Sequence, residues 1–167
     1  MRRLIASMAA FGAACIASPA LAGWTYAEWG MSPDEVVTAS EGQVERTDYD
    51  PDNVLYENHQ LAAGKTSYLD LQLDVFSYFD AKSEQLRNLD LVPEAEKFDT
   101  REALHKEFGK VEPSIEPLHL GEGLPMLDEH GWLWVDETSG DETYFLEAKL
   151  GKITMLSKIV IAQKGVR

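Results

Sequence analysis

The sequence predicts an α+β domain, an antiparallel sheet with two short helices packed on one face. Three observations point there. Two segments carry helix-start signals, at Ser32-Pro33 and at Asp99-Thr100. Apolar residues alternate with polar ones from Tyr68 to Phe79. The last third of the chain is punctuated by turn residues in the manner of a meander. No strand alternates with a long crossover helix, which argues against a parallel sheet.

The chain opens with a segment that does not belong to the domain. Met1-Arg2-Arg3 is positive, Leu4 to Ile16 is uncharged and apolar, and Pro19 precedes Ala20-Leu21-Ala22. That is the three-part layout of a secretory signal peptide, residues 1–22, cleaved before Gly23. The apolar run is shorter than the ~20 residues that a membrane-spanning helix needs. Cys15 raises the rival of a lipidated start, but Gly12 stands where lipoprotein signals carry a Leu-like residue, so Ala20-Leu21-Ala22 is the better site. The expected location is periplasmic or secreted.

Residues 23–167 then form a single domain, large enough to build its own core. This part has no cysteine, so no disulfide staples it. Without Arg2 and Arg3 the 15 basic residues fall to 13, against 29 acidic ones, a net charge of −16. Such a surface repels nucleic acid and anionic lipid and favours a basic protein partner or a cation.

Trp24, Tyr26 and Trp29 form an aromatic lead-in. Ser32-Pro33-Asp34-Glu35 has the residues of a capping box, with Pro at the first helical position and Met31 and Val36 placed as a staple. This first helix should end near Ser40, stopped by Gly42. Glu45 to Asn53 is polar and reads as a loop, and Val54 to Ala62 as a strand. In Tyr68 to Phe79, Leu69, Leu71, Leu73 and Val75 define one apolar face, the mark of a half-buried strand. Asp80 to Ser83 is a turn and Gln85 to Leu91 a returning strand. Asp99-Thr100-Arg101-Glu102 opens a second helix, with Ala103, Leu104 and Phe108 as its stripe and Gly109 as its stop. A loop with several prolines runs from Pro113 to Pro125. Three strands follow, Trp132–Glu137, Glu142–Lys149 and Lys152–Ala162. The element order suggests two halves, each a helix followed by a meander.

The phrase Trp29-Gly30-Met31-Ser32-Pro33-Asp34-Glu35-Val36, with Phe108-Gly109 and Trp134-Val135-Asp136 later, resembles small exported bacterial envelope domains and is similar to the β-lactamase-inhibitor-protein-like fold. The resemblance implies a binding or scaffolding role and carries over no catalytic residue. The paired cysteines of the inhibitor proteins are absent here.

Tests for chemistry return little. Asp48, Asp50 and Asp52 alternate as in a calcium loop, but Asn53 and His59 stand where Gly and Glu are required. His119, Asp128, His130 and Asp136 match no metal spacing. No nucleophile elbow occurs, and Gly64-Lys65-Thr66 lacks the rest of a phosphate loop. No catalytic residue, cofactor or metal is therefore assigned. The candidate binding residues are Trp24, Tyr26, Trp29, Trp132 and Trp134, because Trp and Tyr dominate interface hot spots. The expected function is a non-catalytic binding or scaffolding domain. The alternatives are a small periplasmic hydrolase using His and carboxylates, or a metal-binding protein.

Overall fold

The computed structural model describes residues 23–55, 57–94, 97–118 and 127–165. The segment read as a signal peptide, with Cys15, lies outside them, as does His119. A two-strand hairpin comes first, β1 (Gly23–Trp24) with β2 (Ala27–Glu28). Helix α1 (Pro33–Ala39) follows, then β3 (Val44–Arg46), β4 (Val54–Leu55), β5 (Asn58–Tyr68), β6 (Leu71–Asp80) and β7 (Leu86–Pro93). Helix α2 (Lys97–Phe108) leads into β8 (Ser114–Leu118), β9 (Leu127–Val135), β10 (Glu142–Leu150) and β11 (Ile153–Ala162).

Nine of these strands form one antiparallel sheet in the order β3-β5-β6-β7-β11-β10-β9-β8, with β4 sharing the outer edge of β5. Each half of the chain supplies a helix and a run of strands, and the last strands of the two halves, β7 and β11, pair at the centre. The register aligns a row of side chains across the sheet: Trp132, Phe145, Ile159, Leu91 and Val75, then Gly64 and Val44. The six side chains of this row are buried, and Val36 of α1 and Leu104 of α2 join the same core. Both helices therefore cover this face. Gly64 lies where the chain entering β3 passes so close that a Cβ would strike Gln43 O and Val44 Cα.

The expected α+β class is corrected to a β-rich one: 54% of the structure is strand, and the helices are a minor part. The shortfall lies in strands that the pattern hid. β3 starts at Val44, its one buried residue, and takes the first two residues of the expected 45–53 loop. β8 falls in the 113–125 loop. It is an edge strand, the one place in a sheet that tolerates a residue such as Pro117. The apolar alternation expected from Tyr68 onward crosses a turn. Leu69 and Asp70 adopt φ of 51° and 64°, so β5 ends at Tyr68 and β6 starts at Leu71. The usual Asn-Gly signal of such a hairpin is missing. Helix α2 begins at Lys97, so Asp99 lies within it and is not its cap.

Candidate functional site

The sequence-expected aromatics do not form an exposed patch. Trp24, Trp29, Trp132 and Trp134 are 4, 5, 3 and 7% exposed, and Tyr26 packs half-buried against the same core. Large flat rings gain most by leaving water, so they fill the space between sheet, helices and lead-in. Trp24 stands edge-on to Tyr26 and Tyr68, with ring centroids 5.8 and 5.5 Å away. Trp132 lies elsewhere in the core, flanked by the Arg101 guanidinium at 5.6 Å and the Lys149 ammonium at 6.0 Å from its ring.

Two of these residues, Trp24 and Trp134, instead line a cleft of about 760 Å³. It opens between the first hairpin, the end of α2 and the β9–β10 connection. Its apolar walls come from Trp24, Tyr68, Phe108, Val111, Trp134 and Ile161. Phe108, the last residue of α2, is exposed and stacks at a tilt 5.9 Å from Trp134. The Trp134 indole donates to Gly109 O at 2.8 Å, which ties β9 to the end of the helix. Trp29 contributes from outside the lining: its Nε1 donates to Asp141 Oδ2 at 2.8 Å and holds that carboxylate in place.

Asp136, Glu137 and Asp141 form the polar lip, and the described lining residues include no Lys or Arg. The connection is closed by Gly140 N to Asp136 O at 2.7 Å and Asp136 N to Asp141 O at 2.9 Å. Asp136 Oδ1 accepts from the backbone N–H groups of Ser139 and Thr138, at 2.7 and 2.8 Å, and from Ser139 Oγ. Those bonds hold its carboxyl below the ordinary range. The Trp24 indole N–H is buried without a partner among the described residues.

Sequence reasoning missed Phe108, Val111 and the acidic lip as parts of one site. It places Phe108 on the apolar stripe of the helix and leaves residues 138–141 only as the gap between two strands. The available signal is an apolar residue on each side of the Gly109 helix stop.

The described histidines lie on three different elements, β5, α2 and β9, and each meets an aromatic ring. His59 contacts Tyr49 at 4.5 Å, His105 contacts Trp134 at 5.8 Å, and His130 stacks on Trp132 at 6.2 Å. None lines the cleft. Among the described residues no three His, Cys, Asp or Glu side chains are grouped to hold a metal. Asp50 is spent on its own turn, accepting from Asp52 N at 2.9 Å and from Asn53 Nδ2 at 3.1 Å. Compared with known proteins, the chain matches no family model, no curated protein and no solved structure.

Proposed function

We propose that the protein is an exported binding domain without catalytic activity, acting on a protein partner through the cleft beside α2. The observation that supports this best is the cleft's composition. It has aromatic and aliphatic walls with a few polar groups at one lip, the make-up of a recognition site. A hydrolase would need a base and a nucleophile within hydrogen-bond reach. Of the lining hydroxyls Ser139 lies in the acidic connection, where it donates to Asp136 Oδ1 at 3.2 Å, and no histidine is among the described lining residues. The resemblance to inhibitor-like envelope domains points the same way. No described helix is long and apolar enough to cross a membrane.

The test is capture from an envelope extract with the parent protein and with Thr143→Trp, which fills the cleft from its floor. Loss of a specific captured protein on filling, at unchanged melting temperature, supports the reading. Identical capture by both proteins refutes it.

A further inference from the structure

We propose that the cleft receives a lysine or arginine side chain presented on a peptide segment of the partner. This rests on the binding role given above and names what is bound.

The lip carries three carboxylates and the described lining residues include no base. The cleft also lies at the C-terminal end of α2, where the helix dipole concentrates negative potential; in the last turn His105 O accepts from Gly109 N, and just beyond it Gly109 O accepts from Trp134. Cations are thus favoured from two independent sources. Lys164 is exposed and outside the lining, but its stem and ammonium run against Gly140 and its backbone N–H donates to Asp141 Oδ1 at 3.4 Å, so it offsets part of the charge of the three carboxylates. Beneath the lip the walls are apolar and aromatic. They suit the aliphatic stem of a long basic side chain, and the exposed Phe108 and half-buried Tyr68 rings suit its cationic head. A bare divalent ion would gain nothing from such walls.

The Trp24 indole N–H separates a peptide from a free amine. Trp24 lines the cleft, and its Nε1 is a fully buried donor with no acceptor among the described residues, which a ligand carbonyl reaches only if the ring turns. Leaving such a group unpaired is costly. A peptide brings a backbone carbonyl together with its basic side chain, whereas a simple alkylammonium or alkylguanidinium brings no acceptor.

The experiment is a titration of the protein, purified as its host produces it, followed by tryptophan fluorescence. The probes are acetyl-Ala-Arg-Ala-amide, the same peptide with norleucine in place of arginine, and n-butylguanidinium. The arginine peptide should bind at least tenfold more tightly than either other probe and weaken as salt rises. The double variant Asp136→Asn with Glu137→Gln should lose at least fivefold in affinity for the arginine peptide. Its melting temperature should fall only slightly, because the amide that replaces the Asp136 carboxylate keeps an oxygen for the turn N–H groups and loses only the charge that strengthens those bonds. Equal binding of the norleucine peptide would overturn the charge preference while leaving a binding cleft in place. Equal binding of n-butylguanidinium would overturn the peptide. No saturable response to the arginine peptide, or an unchanged affinity in the double variant, overturns the inference outright. Failure of the binding role itself would appear separately, as envelope capture indifferent to Thr143→Trp.

Discussion

Trp24 shows how far a single residue's role departs from its position in the chain. It stands second among the described residues, in a two-residue strand, yet it is buried between Tyr26 and Tyr68 and closes one wall of the cleft. Composition marks the aromatic lead-in as unusual, but exposure depends on what folds over it, and Tyr68 comes from more than forty positions away. The consequence for mutation is direct. Replacing both rings by Ala, Trp24→Ala with Tyr26→Ala, should lower stability by about 3–5 kcal/mol, since truncating a buried aromatic leaves a cavity that the surroundings only partly fill. Chemical denaturation measures it; a loss below about 1 kcal/mol, the size of an ordinary surface effect, would mean that the lead-in is not docked. The Tyr26 hydroxyl reports the same burial, its pKa pushed up to about 12 by desolvation.

Elements were legible where local chemistry dictates them. The α1 start is the clearest case. Ser32 N donates to Glu35 Oε2 at 2.8 Å, Glu35 N donates to Ser32 Oγ at 3.4 Å, and Pro33 sits at the first helical position. Those three residues are close in sequence, so no distant partner is needed to read them. The strand pattern of β6 was equally plain, with Leu71, Leu73, Val75 and Phe79 all buried. Short edge strands were not legible, because one face of three residues gives no period to detect. β3 was recoverable only through its neighbour. Gly64 on β5 has no need of a turn conformation; it is there because the backbone at Gln43–Val44 passes over it. Gly64→Ala should therefore push β3 off the sheet and lower the melting temperature by about 5 °C or more. The control Gly151→Ala meets open space but has φ of 60°, so its smaller cost measures backbone strain alone. Equal effects from the two substitutions would refute the close approach.

At the scale of the whole molecule the two halves meet through one strand pair, β7 with β11. On the face away from the helices this join buries an ion pair, Lys158 Nζ to Asp90 Oδ2 at 2.9 Å. Burial raises the Asp90 pKa, and Lys158 opposes that rise without cancelling it. A carboxyl raised in the folded state costs stability when charged, and the cost is relieved as pH falls through its folded pKa. Lys158→Met leaves the carboxylate buried and alone, so it should destabilise by about 3 kcal/mol at neutral pH. The deficit relative to the parent should shrink on acidification, as Asp90 takes up its proton. A deficit that is constant with pH would mean that Lys158 acts by packing alone. Two similar halves could be suspected from the order of elements, but nothing local to β7 or β11 announces that they are neighbours. The central place of β11 also sets a timetable. It is the last of these strands to leave the ribosome, and until it arrives β7 has no partner on its inner edge and β10 none on one side. The sheet cannot close from the front of the chain backward, and contacts between residues some seventy positions apart form slowly. A nascent chain of this design stays open, with its apolar rows exposed to chaperones, until β11 has been made.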